Sequence, residues 1–438
     1  MENFATNFTE EMIPKINEVL KFVLDNPHSD FYRKKYGSQN VYPIKSYEDF
    51  QKIPFLTKDE ILATPLAGRI FVPESDLSYF SFSSGTTNSK KPTVLPHASF
   101  DRASNKNPAM KDLPEKLGVR RLMLLKNVLS PGFFKNIRRK FKSHMLIPGD
   151  IHNLPITASI AKELNIDAFN TSPTVLYYFI PHLRTAGFDF SSVKMINLGG
   201  EFCSSQRVSY FKDIFPNSFF VFRYANSETD VRGYRCENLA GTPPNAFHIN
   251  SDAVMEIIDD QHKSSSLDSE GKIAHTALEI GAFPLIRYMT GDIGKISATQ
   301  CPCGENSILS LGGRAGTDIL KFQGITLNAH LIDKALENIQ EYIEPLFEMH
   351  VFEEKTGDAI KPKLQLHICL KEKYKNKSVD PYFVEIIKEK ISKNLSLSST
   401  NTLKSLAEQG IFMPLEIIFI ETWSEKKSKQ RPIISHFE

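Results

Sequence analysis

The sequence predicts an α/β protein built as a large N-terminal domain of helix-covered sheets with a β-rich subdomain, plus a small α+β C-terminal domain. Three observations carry this reading. The chain has 438 residues, more than one hydrophobic core usually organises. Short apolar runs alternate with segments of helical spacing through its middle, the signature of sheets covered by helices. After Gly312-Gly313-Arg314 the texture changes, so residues 1–312 and 313–438 are read as separate domains.

The elements follow in order. Met12, Ile13, Ile16, Val19, Leu20 and Val23 recur at helical spacing and predict an opening amphipathic helix. Leu122 to Leu125, Met195 to Leu198 and Phe219 to Phe222 read as buried strands, with helical segments at Thr157 to Leu164 and Thr174 to Leu183 between them. Residues 229–310 are richer in β signals, with Val254 to Ile258 and Lys272 to Ala274 as short strands. In the C-terminal domain, Leu331, Ala335, Leu336 and Ile339 mark a helix, followed by strands at Met349 to Phe352 and Leu364 to Leu370. A second helix carries Phe383, Val384, Ile387 and Ile391, and Leu415 to Ile420 is expected as the last strand of a βαβ-like module. Ser396 to Thr400 reads as a loop, and the tail from Glu425 to Arg431 is polar and basic.

Composition narrows the function. Hydrophobic content of 41% and charged content of 24% are those of a soluble globular chain. A formal net charge of +2 gives no reason to expect nucleic acid or an anionic membrane as partner. Met1-Glu2-Asn3-Phe4 lacks the basic and apolar segments of a secretory signal, and no apolar run approaches bilayer-spanning length, so a cytoplasmic location is expected.

The chemistry concentrates first in Ser83-Ser84-Gly85-Thr86-Thr87-Asn88-Ser89-Lys90-Lys91-Pro92-Thr93. Hydroxyls and backbone N–H groups in such a stretch would lack partners in a core. They can wrap an anion, with glycine admitting a close backbone approach and lysine supplying charge. The Walker spacing is absent, and a polar surface linker has the same composition. Four further segments follow. Gly199-Gly200-Glu201 closes a strand in a turn that can present backbone to a ligand. Tyr224-Ala225-Asn226-Ser227-Glu228 offers an aromatic face, a hydroxyl and a carboxylate. Arg287-Tyr288-Met289-Thr290-Gly291-Asp292 puts a carboxylate in a glycine turn, suited to two sugar hydroxyls. Gly313-Arg314, with Asp318 nearby, stands at the change of texture. Each alone is a weak signal, since an aspartate after glycine is commonly just a turn.

Taken in this order, the segments resemble the adenylate-forming superfamily of acyl- and aryl-CoA ligases, closest to the phenylacetate-CoA ligase branch with its coenzyme F390 synthetase-like members. The resemblance runs from Phe50-Gln51-Lys52-Ile53-Pro54-Phe55-Leu56-Thr57-Lys58 to the basic tail. It implies that Ser83, Ser84, Gly85, Thr86, Thr87 and Lys91 hold the ATP phosphates, with Lys90 sharing the lysine assignment. It also implies that Tyr224 stacks on adenine, that Asn226 and Ser227 belong to the same motif with the serine hydroxyl meeting a phosphate, and that Glu228 binds Mg²⁺. Gly200 and Glu201 would line the adenine side, Asp292 would hold both ribose hydroxyls, and Arg314 would support it.

Departures from the family pattern are visible. Asn88 replaces a glycine, one extra residue precedes Lys91-Pro92-Thr93, and Ala225 stands for a glycine. At the hinge, Gly313-Arg314-Ala315-Gly316-Thr317-Asp318 lacks the usual pivot aspartate, so either Thr317 pivots or the domain rotation differs. In the tail, Ser428-Lys429-Gln430-Arg431 is the nearest fit to the segment bearing the adenylation lysine, giving Lys429 as catalytic candidate and Lys427 as rival.

Cysteine placement is a separate signal. Cys301-Pro302-Cys303-Gly304, with Cys236 and His248 upstream, supplies three thiols and an imidazole, enough for a tetrahedral Zn²⁺ in a knuckle within residues 229–310. Several members of the branch carry such a site; ordinary burial is the competing explanation. Cys203 and Cys369 have no partners at metal spacing and are read as core or incidental.

The expected activity is that of an AMP-forming acid–thiol ligase: ATP and Mg²⁺ activate a carboxylic acid as its adenylate, and CoA or a carrier-protein thiol then displaces AMP. Aryl or arylacetic acids are the family's preference, with Asn170 to Tyr178 contributing either to the acid pocket or to the core. Transfer to a partner protein, a homodimeric assembly, and a non-catalytic nucleotide-binding homologue stay open.

Overall fold

The computed structural model describes residues 4–82, 93–98, 113–125, 145–201, 203–226, 228–239, 242, 244–315, 318–322, 325–356, 359–397, 401–424 and 431–436. It divides into two compact units: residues 1–171, 192–200 and 217–311 form one, and residues 172–191, 201–216 and 312–438 the other.

The first unit opens with helix α1 (Ile13–Leu24), which buries Ile16, Val19, Leu20 and Val23, the face that the apolar spacing predicted. Short helices follow at α2 (Phe31–Tyr36), α3 (Tyr47–Gln51) and α4 (Lys58–Ala63). Thr57 and Glu60 close a reciprocal capping box at the start of α4. Strands β1 (Leu77–Phe82) and β2 (Val94–Ala98) pair antiparallel, ending in register at Phe82 and Val94. Helices α5 (Leu113–Lys116) and α6 (Leu154–Glu163) lie farther along.

Most of this unit is organised by an 11-stranded sheet among the described residues. Its strands are β3 (Arg121–Leu125), β4 (Met145–Gly149), β5 (Ala168–Thr171), β6 (Met195–Gly199) and β7 (Phe219–Asn226). They continue as β8 (Asp230–Tyr234), β9 (Ala246–Ile249), β10 (Ala253–Ile258), β11 (Gly271–Ala277), β12 (Tyr288–Ala298) and β13 (Ser307–Arg314). The order is β10-β11-β12-β13-β9-β8-β7-β6-β5-β3-β4. From β4 to β7 neighbours run parallel, and β8 turns the sheet antiparallel. The three apolar runs fall on β3, β6 and β7 as expected, but Phe219 at the start of β7 is exposed and burial begins only at Val221.

The second unit contains α7 (Pro173–Ala186), α8 (Ser205–Ile214), α9 (Ala329–Leu336), α10 (Pro381–Asn394) and α11 (Leu403–Glu408). Strands β14 (Ile319–Phe322) and β15 (Ile325–Asn328) make a small hairpin. Four others, β16 (Ile343–Thr356), β17 (Ala359–Leu370), β18 (Glu416–Ile420) and β19 (Ile433–Ser435), form a sheet in the order β18-β17-β16-β19. The first two are an antiparallel hairpin, and the chain then crosses through α10 to lay β18 parallel to β17. So the expected βαβ unit exists, but it follows a hairpin. The expected last strand is not the last, because β19 adds to the free edge of β16 in parallel. Only three residues long and preceded by Pro432, it leaves little trace in a polar tail. Met349, Val351, Leu364, Leu366 and Ile368 form a core with Ile332 and Leu336 of α9 and Ile387 and Ile391 of α10. Alternation sends Glu348, His350, Phe352, Gln365 and His367 to the opposite face. Among the described residues no helix is long and apolar enough to cross a membrane.

Candidate functional site

The pairing of β1 with β2 holds the two ends of the hydroxyl loop side by side, since Phe82 lies opposite Val94. Tyr79 stacks on His97 at 4.4 Å, and the His97 ring nitrogen meets Ser81 Oγ at 2.8 Å, stiffening the strands that flank the loop. The loop's candidate residues Ser83, Ser84, Gly85, Thr86, Thr87, Lys90 and Lys91 lie outside the described residues, as do Ser227, Lys427 and Lys429. Asn226 ends β7, its side chain outside the description.

Within the first unit, Tyr224 on β7 and Asp292 on β12 come together: the phenol donates a 2.7 Å hydrogen bond to Asp292 Oδ2. Asp292 was expected in a glycine turn and instead sits in a β-bulge. Lys272 faces Ile293 and Ala274 faces Met289, so β12 carries extra residues between those pairs. Gly291 takes φ 81° there, a conformation costly for residues with a Cβ. Thr290 fixes the bulge by donating through its hydroxyl to the Ile273 carbonyl and accepting from the Asp292 amide. Tyr224 and Glu228 are both buried, and Gly200, just beyond β6, turns with φ 89°.

A residue without an assigned role braces this bulge. The Arg287 guanidinium makes two 3.0 Å bonds to the Glu256 carboxylate, lies 4.0 Å over the Phe55 ring and donates to the carbonyls of Gln51 and Ile53. Its own carbonyl accepts from Leu56, and the Leu56 carbonyl accepts from Met289. Phe50 to Lys58, noted in the sequence only for its likeness to relatives, is thereby a splint beside β12. The contact partners lie more than 200 residues apart in the chain, so no local pattern announces them.

In the second unit, the Glu201 carboxylate accepts from the Thr174 amide at 2.5 Å and lies 3.9 Å from Arg207. It serves the open N-terminus of α7 as an anion serves a helix dipole. Ser172 caps the same helix through Val175. The Asp318 carboxylate accepts from the Arg314 amide at 2.9 Å, and Asp318 in turn donates its backbone N–H to the Arg314 carbonyl. Gly313 has φ 126°, and a Cβ there would come within 2.6 Å of Asp318, so the turn requires glycine.

The cysteine cluster is brought together. Sγ of Cys236 lies 3.4 Å from His248 Nε2 and 3.6 Å from Cys301 Sγ; Cys303 Sγ lies 3.4 Å from His248 Nε2 and 3.2 Å from Cys301 Sγ. Zinc bonds of about 2.3 Å to sulfur and 2.0 Å to nitrogen in a tetrahedron give edges of roughly 3.5–3.8 Å, so the donor set fits. His248 is buried, and its Nδ1 faces the Ser307 carbonyl at 3.0 Å, which turns Nε2 toward the thiols. The Cys303 backbone amide helps hold the Cys301 thiol down at about 7. Gly304, at φ 94°, closes the knuckle by donating to the Cys301 carbonyl. Cys203 and Cys369 stand apart from this group, both buried and both thiols.

No protein-family model matches the chain. It is 23% identical over 394 residues to the phenylacetate-coenzyme A ligase of Thermus thermophilus, covering 86% of this chain and 83% of that one. Its fold matches a 2-hydroxyisobutyryl-CoA ligase crystallised with 2-HIB-AMP in the postadenylation state, with a TM-score of 0.75 and 16% identity over 97% of this chain and 88% of that one. An acyl acid amido synthetase in complex with 2,4-DB shares the fold at a TM-score of 0.68 and 12% identity, covering 98% and 92% of the two chains. The resemblance drawn from the motifs therefore extends to overall sequence and to fold.

Proposed function

We propose that this protein is an ATP-dependent acid–thiol ligase that joins a carboxylic acid to AMP and passes the acyl group to a thiol, with an aryl or arylacetic acid and CoA as its substrates. The observation that carries the reading is the Tyr224–Asp292 pair in the β12 bulge, in a chain similar to phenylacetate-CoA ligase along most of its length. Tyr224 would offer its ring to a base, while its hydroxyl, bonded to the Asp292 carboxylate, would orient that carboxylate toward ribose hydroxyls. Anchoring adenosine there brings the α-phosphate into line with an acid whose oxygen attacks phosphorus as pyrophosphate leaves. Such a reaction needs positioning and neutralisation of phosphate charge more than covalent help. Ser83, Ser84, Thr86, Thr87 and Lys91 are assigned to that charge, Ser227 to a phosphate contact and Lys429 to the carboxylate and α-phosphate. Glu228 would hold Mg²⁺, which neutralises phosphate oxygens. A thiol then attacks the acyl carbon and releases AMP.

Cys236, His248, Cys301 and Cys303 would hold Zn²⁺ in a structural role, since four protein donors leave no open position. A second reading, an amine acceptor in place of CoA, is supported by the acyl acid amido synthetase that shares the fold. The test is acid-dependent pyrophosphate release across aryl, arylacetic and fatty acids, with and without CoA. The proposal expects release with an aromatic acid and thioester only when CoA is present. No acid-dependent release with any acid would overturn it.

A further inference from the structure

The outward face of the four-stranded sheet carries a group of rings that the ligase reading leaves without a task. His350 on β16, His367 on β17 and His436 just beyond β19 come together with Phe352. The His350 and His367 rings stack at 4.0 Å with planes 21° apart, and His436 stacks on Phe352 at 4.2 Å and 5°. His350 Nδ1 and His436 Nε2 are 2.8 Å apart, a full hydrogen bond between two imidazoles. Glu348 Oε2 lies 3.6 Å from His350 Nε2, and His367 Nε2 is bonded to Gln365 Oε1 at 2.8 Å. Farther along the same face, Lys363 is held between Glu354 and Glu416 at 2.8 and 2.9 Å, so that trio is already paired.

Metal binding does not suit this group. Ring lone pairs lie in the ring plane, and stacked, near-parallel planes cannot aim them at one ion. Proton binding suits it better. A hydrogen bond between two imidazoles needs one lone pair, so it survives a single added proton. Glu348 can balance that first charge on His350. A second proton, on His367, puts two cationic rings face to face at 4.0 Å and drives His350 away from its bond to His436. Burial, reinforced by His367, holds His350 below its ordinary value, and burial does the same to His367. For groups depressed in this way the stabilisation is complete above the ordinary imidazole value of about 6.5 and is lost as pH falls below it.

What the pair fastens is the end of the chain. Strand β19 adds to β16 through few backbone bonds, among them the Met349 amide to the Pro432 carbonyl and the His436 amide to the Val351 carbonyl. A short strand at an edge is held largely by its side chains. We propose that His350 and His367, acting through the bond from His350 to His436, form a proton-operated fastener that releases β19 on acidification. Lys429 precedes β19 by a few residues, so the consequence for catalysis, which rests on the adenylation role assigned to Lys429, is a loss of acid activation at low pH.

Hydrogen exchange on the full chain tests the fastener directly. Peptides covering Met349 to Phe352 and Pro432 to His436 are compared at about pH 7.5 and about pH 5.5, with intrinsic rates corrected. At least a ten-fold loss of protection is expected at the lower pH, while the β17–β18 ladder keeps its own. His367→Gln removes the second proton site and is expected to keep the strand protected at both values; His350→Gln serves as a second variant. Unchanged protection in the parent protein, or an equal loss in both variants, overturns the proposal. Acid-dependent pyrophosphate exchange is then followed against pH, and the acid limb is expected to move lower in His367→Gln. A protein that loses β19 protection with acid yet never exchanges pyrophosphate would leave the fastener standing and overturn the ligase reading alone.

Discussion

Tyr224 shows how one atom divides two roles. Its hydroxyl is committed to Asp292 at 2.7 Å, and its ring is what the proposed function assigns to a base. Replacing it with phenylalanine keeps the ring and frees the carboxylate to swing. A hydrogen bond to a charged acceptor contributes about 1.5–3 kcal/mol, so Tyr224→Phe is expected to raise the KM for ATP roughly ten-fold or more while kcat changes little. The same substitution is expected to cost far less with 2′-deoxy-ATP, because the oriented carboxylate then has less to hold; steady-state kinetics with both nucleotides checks this. Lys429→Ala is a different case. If Lys429 meets the charge that develops at the α-phosphate, its loss lowers adenylation by about 10²–10³ in a pyrophosphate-exchange assay, while the circular dichroism spectrum is unchanged.

At the scale of elements, the β12 bulge matters more than any strand around it. Its splint, Phe50 to Lys58, is pinned through Arg287, which pairs with Glu256, both side chains buried. Removing one member leaves a charge without its partner in a dry site, at a cost of about 3–5 kcal/mol. Glu256→Gln is accordingly expected to lower urea stability by that amount and to weaken ATP binding, because the Leu56–Arg287–Met289 backbone contacts depend on it. Elements with strong local signals were legible in the sequence: α1 from its apolar face, β3 and β6 from their runs, α10 from Phe383 to Ile391. Asp292 was legible as a residue but not as a bulge, since a bulge is defined by the partner strand. Glu201 illustrates the same limit, for its bond to Thr174 joins residues 27 apart in the chain, a pairing that no local spacing records.

For the whole molecule, the sequence reading divides the chain into 1–312 and 313–438, whereas the second compact unit includes a segment from Gly312 to Glu438. It also gathers residues 172–191 and 201–216. Part of the reason is Asp333 on α9, whose carboxylate accepts from the Ser205 amide while its carbonyl accepts from Gln206. Contacts across such sequence distances are invisible to local reading. The cysteine cluster was legible because its residue types are scarce and chemically specific. Closing a knuckle that ties β8 and β9 to the turn before β13, it bears on the stability of the first unit. Metal analysis is expected to find one zinc per chain, and chelation or Cys301→Ser to lower the melting temperature by roughly 5–10 °C.

The clasp of β1 against β2 has a consequence for how the hydroxyl-rich segment between them can vary. With Phe82 and Val94 already neighbours, the connection between them starts and finishes at one place, whatever its length. Even doubling such a connection adds only about 0.6 kcal/mol of closure entropy, so the additional residue ahead of Lys91 is nearly silent thermodynamically. Natural drift is therefore free to lengthen or shorten this span without disturbing the two strands that flank it.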